Sequence, residues 1–215
     1  MENIEALLLE PVGCLAEFPA GPFHKISIRL FDRKGKGGMS ASRTYWHLLD
    51  LIDTVKTPFD AEKKTFAEAL EVEAVDAASI YEDVAPALAE LKSMGIRLIV
   101  ASSLSRKAAA RFIERNALGD LLSEVYTREE AGGVKSAPLL KALGDASLSS
   151  QKTMFLTDTL EGIKVARVTG VHPILMMNDP DESLRLAMHN PSGGVVSMHE
   201  MPDFLRLIEA QNHRG

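Results

Sequence analysis

The sequence predicts an α/β protein, a doubly wound parallel sheet with a helical insertion after the first strand, and three observations predict it. Short runs such as Leu7–Leu9, Arg97–Ala101 and Thr153–Thr157 read as strands buried on both faces. The later strands follow helical segments that stop at a glycine, as crossover helices do. Between about Ala16 and Ile80 the alternation lapses into a helical pattern.

In order, the first strand runs into Glu10 and a tight turn at Gly13. Within the insertion, Ser40 or Ser42 can cap a helix through Ile52 that carries Tyr45, Trp46, Leu48, Leu49 and Ile52 at helical spacing. Asp60 can cap a second one with Phe66, Leu70 and Val72. From Tyr81 the repeat is regular. A helix over Pro86–Met94 stops at Gly95, then come the strand Arg97–Ala101, a helix from about Ser105 to Asn116 and a short strand at Glu124–Tyr126. Two further units follow, Ala137–Leu143 with Thr153–Thr157 and Glu161–Val168 with Pro173–Met177. A strand near Val195–Val196 and a helix Asp203–Ala210 close the chain.

The totals narrow the function. A chain of 215 residues, 46% of them apolar, can build one good core, or a core and a small inserted unit. Its formal charge of -6 argues against a nucleic-acid surface, which needs clustered Lys and Arg. A single cysteine, Cys14, leaves no internal disulfide and points to a reducing compartment, and the N-terminus reads as neither signal peptide nor membrane span, so the expected location is cytoplasmic. Six histidines without HExxH-type spacing or cysteine partners do not make a zinc site.

In doubly wound sheets ligands bind beyond the C-terminal strand ends, so Glu10, Ser102, Ser103 and Asp158 should meet in one crevice. With those residues in view the sequence resembles the haloacid dehalogenase (HAD) superfamily over nearly its whole length. The four motifs of that superfamily correspond to Glu10-Pro-Val12-Gly13-Cys14, Val100-Ala-Ser102-Ser103, Lys135-Ser-Ala-Pro138 and Thr157-Asp158-Thr-Leu-Glu161-Gly162-Ile-Lys164. The insertion, taken as residues 16–80, stands where the family carries its C1 cap, and residues 1–15 and 81–215 would form the core. Within the superfamily the nearest likeness is to phosphonatase (phosphonoacetaldehyde hydrolase). Its fourth motif is similar to Asp158–Lys164, and its cap bears a Schiff-base lysine where this chain has Arg43.

The resemblance implies an aspartate nucleophile at position 10, a second aspartate at 12 acting as acid and base, and a Mg²⁺ ion held by carboxylates of the first and fourth motifs. The chain departs at each of these places. Glu10 keeps a carboxylate but shifts it by a methylene, a misplacement worth on the order of 10²-fold in rate. Val12 can move no proton, where a positioned acid contributes about 10²–10⁴-fold. Arg43 stays protonated and forms no useful imine. Gly162 stands where a second metal carboxylate belongs. That leaves Glu10 and Asp158, with Glu161 either compensating or facing solvent in its helix's first turn.

A cradle for phosphate, or for a small phosphorylated or phosphonate ligand, remains in Gly13, Ser102, Ser103 and Lys135. The alternative is that Lys135 pairs with Glu10 or Asp158 as a counter-charge. Lys34–Gly38 imitates a phosphate loop but lacks the preceding strand and the following Ser or Thr, and reads as a cap loop. Tyr45 and Trp46 read as core, with a cap-to-cap homodimer as the alternative, and Cys14 as a small buried filler. The expected protein is thus a HAD-fold, phosphonatase-like pseudoenzyme with weakened Mg²⁺ binding and a retained ligand site. Its rivals are an active Mg²⁺-dependent hydrolase using Glu10 and a protein-binding module acting through the cap.

Overall fold

The computed structural model describes residues 3–33, 39–54 and 59–212. The chain opens on β1 (Ala6–Leu9) and a four-residue helical turn, α1 (Pro11–Cys14), broken at Val12 and Gly13. It then runs through β2 (Ala16–Glu17), α2 (Ala20–Phe31), α3 (Ala41–Thr54), α4 (Ala61–Asp76) and β3 (Ser79–Ile80). Next come α5 (Val84–Ser93), β4 (Arg97–Ala101), α6 (Arg106–Arg115), β5 (Glu124–Tyr126), α7 (Arg128–Ala131) and α8 (Ser136–Asp145). After a 3-10 turn follow β6 (Thr153–Thr157), α9 (Leu160–Val168), β7 (His172–Met176), α10 (Pro180–Ala187), β8 (Gly193–Val195) and α11 (Met201–Asn212).

Six strands form one parallel sheet in the order β5-β4-β1-β6-β7-β8. β1 lies inside it with Leu8 opposite both Ile99 and Phe155, and Leu7, Leu8 and Leu9 are wholly buried. Fully burying a leucine stabilises by about 1.5–3 kcal/mol, which is why an unbroken apolar run takes the inner position. β1 therefore delivers Glu10 between the end of β4, with Ser102, and the end of β6, with Asp158.

Local signals account for most boundaries. Asp60 accepts from Lys63 N at 3.0 Å, Ser105 from Ala108 N at 3.2 Å and Thr159 from Gly162 N at 3.2 Å, each capping a helix start. Of the two candidate caps for α3 it is Ser40 that serves, accepting from Arg43 N at 3.3 Å, which leaves Ser42 free inside the helix. The segment expected to be helical throughout holds α2, α3 and α4, but it is framed by a two-stranded antiparallel ladder, β2 with β3, pairing Ala16 with Ile80. Two-residue strands leave no periodicity to read. α10 was not expected, although Asp179, accepting from Asp181 N and Glu182 N ahead of Pro180, is a regular helix start. β7 and β8 begin and end slightly earlier than the sequence suggests, within ordinary boundary scatter.

Tyr45 and Trp46 are buried inside the chain. The Tyr45 ring lies 5.1 Å from that of Phe23 in α2, and Phe18 stacks on Phe112 of α6 at 5.7 Å. These aromatics face the protein's own interior, as core, and are not available to a cap-to-cap contact. The Lys34–Gly38 run lies outside the described residues. No described helix is long and apolar enough to cross a membrane.

Candidate active site

The strand ends bring Glu10, Ser102 and Asp158 together, as the sequence predicts, and α3 of the insertion lies over them. Glu10 is buried, and its Oε1 accepts from Ser102 Oγ at 2.7 Å and from Val12 N at 3.4 Å. Ser102 Oγ also accepts from Leu104 N at 3.2 Å and lies 3.4 Å from the Tyr45 hydroxyl. Burial pushes the Glu10 carboxyl from the usual 4.5 up to about 8, outweighing the hydrogen bonds from Ser102 and Val12. With no cation beside it, Glu10 is then mainly protonated at neutral pH.

Asp158, also raised by burial, to about 6, accepts from Ser42 Oγ at 2.5 Å through Oδ2. The turn before it is closed around the same hydroxyl. Gly13 has φ +85, and a Cβ there would lie 1.9 Å from Ser42 Oγ and 2.2 Å from Asp158 Oδ2. Asn178 donates to Gly13 O at 2.8 Å and pins the turn from the other side. Ser42 thus stands between the first-motif turn and the fourth-motif carboxylate, a place sequence reasoning gave to no residue. Only its helical position, one turn before Tyr45, could have suggested it.

Several expected members of the site are elsewhere. Arg43, expected at the Schiff-base position, points away to Glu182, 3.5 Å from its Oε2, with a half-exposed side chain. Lys135 reaches neither Glu10 nor Asp158. Its Nζ lies 2.5 Å from Asp50 Oδ1 and 3.1 Å from Asp53 Oδ2, two carboxylates on α3 that no motif pointed to. Its backbone explains the direction: Lys135 has φ 60, a left-handed value, and its N–H donates to Ser103 Oγ at 2.7 Å. The cradle of Gly13, Ser102, Ser103 and Lys135 is therefore not assembled around one point, because three of its groups already have partners within the chain. Cys14 is buried, and its thiol is raised well above the ordinary value by burial, then by Asp158 and Glu10, the opposite of an activated nucleophile.

The same geometry tests the donor set for Mg²⁺. Among the described residues no group of three or more His, Cys, Asp or Glu side chains could hold a metal ion, so Glu161 does not join Glu10 and Asp158. Asp158 Oδ1 is buried without a hydrogen bond and is the one oxygen suited to a cation. Gly162 cannot be replaced by a carboxylate in this packing, since a Cβ there would sit 1.9 Å from Thr157 Oγ1 and 2.7 Å from Thr157 Cβ, both buried. Glu10 and Asp158 would be the residues to hold the ion, with water and phosphate completing its shell. Gly162→Ala is expected to destabilise the protein by about 1–3 kcal/mol through this overlap. Urea unfolding checks it; an unchanged midpoint in Gly162→Ala would refute the packing argument.

The opening that remains beside Ser42 and Asp158 is about 390 Å³ and is walled by Glu17, Asp179 and Glu182 with no basic side chain.

A family model described as haloacid dehalogenase-like hydrolase matches residues 38–176. No curated protein matches the chain. Among solved structures it is similar to a HAD phosphatase from Thermococcus onnurineus, at 16% identity and TM-score 0.64, covering 94% of this chain and 98% of that one. A haloacid dehalogenase-like family hydrolase from Streptococcus pneumoniae aligns at 13% identity and TM-score 0.68, over 94% and 99%. An L-2-haloacid dehalogenase from Xanthobacter autotrophicus, with chloropropionic acid covalently bound, aligns at 12% and 0.64, over 94% and 98%. At these identities the neighbours show the fold, while the family model spans well over half of the chain. The strand order, the crevice at the ends of β1, β4 and β6, and that match together place this chain in the haloacid dehalogenase-like hydrolases.

Proposed function

We propose that this protein is a member of its family that has lost efficient phosphoryl or C–P hydrolysis and retains phosphate or small-ligand binding in its crevice. The observation that carries the reading is the occupation of the crevice by the chain itself: Ser42 lies on Asp158, and Glu10 and Tyr45 lie on Ser102. The family likeness supplies the ancestral chemistry, and the departures at positions 10, 12, 43 and 162 each remove a different part of it. The phosphonatase-like reading rests on the Asp158–Lys164 motif alone, since the lysine of that mechanism has no counterpart in the outward-pointing Arg43. Phosphate would reach Ser102 and Lys135 only after α3 moves off, because Asp50, Asp53 and Tyr45 now occupy them.

A second reading, an active Mg²⁺-dependent hydrolase with Glu10 as altered nucleophile or base, is favoured by one observation, the unpartnered Asp158 Oδ1. A screen of phosphomonoesters and phosphonoacetaldehyde with Mg²⁺ separates the two. Misplacing the nucleophile and losing the acid together remove at least about 10⁴-fold, so kcat is expected below about 10⁻¹ s⁻¹, against about 1–10³ s⁻¹ for ordinary enzymes. Turnover in the ordinary range that disappears in Glu10→Ala would establish the second reading.

A further inference from the structure

We propose that α3 acts as a self-inhibitory strap: its Asp50 and Asp53 hold Lys135 as a resident anion, so that a phosphate-bearing ligand enters the crevice only by displacing them. This rests on the reading that the crevice still binds such a ligand, and it adds what governs access.

Four polar side chains of α3 carry the contact. Ser42, Tyr45, Asp50 and Asp53 stand on one side of the helix, within about 140° of its circumference at about 100° per residue. Ser42 donates to Asp158 Oδ2 at 2.5 Å, beyond β6, and the Tyr45 hydroxyl lies 3.4 Å from Ser102 Oγ, beyond β4. Further along the helix, Asp50 Oδ1 and Asp53 Oδ2 lie 2.5 and 3.1 Å from Lys135 Nζ. One helix face thus covers, in order, residues of the fourth, second and third motifs. An apolar face would seal the crevice as well. Two carboxylates set on an ammonium do more, since they present the charge and the oxygens that a phosphate would bring.

Lys135 is poised to exchange one anion for the other. Its backbone N–H donates to Ser103 Oγ at 2.7 Å, one residue from Ser102, so the root of the side chain stays at the rim of the crevice when α3 leaves. The ammonium rides on a flexible four-carbon stem and turns once it is released. Burial opposes its charge, and the hydrogen bonds to Asp50 and Asp53 outweigh that effect, raising its pKa above the ordinary value. The Asp50 and Asp53 side chains are 46% and 54% exposed, and ion pairs that meet solvent in this way are weak. Contacts of that strength hold the strap shut in the absence of a ligand and yield to one that binds the open state better.

The test is a calorimetric titration of the full chain with inorganic phosphate at fixed ionic strength. Asp50→Asn/Asp53→Asn is expected to bind phosphate about fivefold or more tighter than the wild type, because the competing charge is gone while both side chains keep their size. Adding Lys135→Met to that variant is expected to remove the gain. In the wild type, the side-chain carboxyl carbon signals of Asp50 and Asp53 are expected to shift as phosphate saturates the protein. A gain that survives Lys135→Met, or carboxyl signals that stay in place while phosphate binds, overturns the strap. Equal binding by the wild type and Asp50→Asn/Asp53→Asn overturns the strap alone, whereas binding by neither overturns the ligand reading of the crevice and the strap with it.

Discussion

Glu10→Gln is expected to raise the thermal midpoint far more at about pH 8.5 than at about pH 5.5, where only about one pKa unit of the penalty has accrued. The folded chain holds this carboxyl at about 8, against 4.5 as the ordinary value, so between those limits the folded state binds more protons than the unfolded one. Stability must then fall as pH rises through that window, with the full penalty reached above about 8. Between about pH 5.5 and 8.5 the loss is on the order of 3 kcal/mol, at about 1.36 kcal/mol per pKa unit. For a chain of this length that is about 6–12 °C in Tm. Asp158, raised to about 6 from 3.8, adds a slope of the same sign at lower pH that the variant does not remove. Glutamine keeps an acceptor for Ser102 and Val12 without the charge, so the wild type should melt progressively earlier above neutrality while the variant stays nearly flat there. A variant less stable than wild type at the alkaline end would mean that Glu10 is ionised in the fold after all, and the nucleophile reading would regain its footing.

The second large effect lies in the Glu71–Arg128 pair, which joins α4 of the insertion to α7 of the core with both side chains almost fully buried. Arg128→Met alone is expected to destabilise by about 3–5 kcal/mol, because it leaves the Glu71 carboxylate buried without its counter-charge. Arg128→Met/Glu71→Gln should recover most of that loss, since the amide oxygen still accepts from Ser105 N, now held by Glu71 Oε2 at 3.0 Å. Urea unfolding of the two single variants and the double one gives the coupling energy directly. Equal instability of Arg128→Met and the double variant would show that the arginine matters through its packing on Phe59 and not through its charge. Burial acts against the guanidinium charge, yet Glu71 and the nearby Glu129 hold the Arg128 pKa above the ordinary value. The guanidinium therefore keeps its charge, and the pair ties insertion to core.

Much of the site could be read from residue order, for a definite reason. Glu10, Ser102 and Asp158 each follow a strand of the parallel sheet, and parallel strands place their C-terminal ends at one edge, so position in sequence translates into position in space. The direction of a long side chain is not set by residue order. Lys135 was expected to meet phosphate, Glu10 or Asp158, and its left-handed backbone turns it instead toward Asp50 and Asp53. Arg43 and Ser42 are neighbours on one helix, and a rotation of about 100° per residue decides that the short hydroxyl enters the crevice while the long cation leaves it.

By itself, then, the sequence determined the α/β architecture and the family, because both depend on local pattern and residue type. Only the tertiary structure decided that α3 closes over the crevice, that burial raises the Glu10 carboxyl, that Lys135 is engaged elsewhere and that Arg128 ties the insertion to the core through Glu71. These depend on burial and on the meeting of residues far apart in the chain. Burial sets the charge of a carboxyl, and long-range packing chooses its partner; neither is encoded in a motif of a few residues.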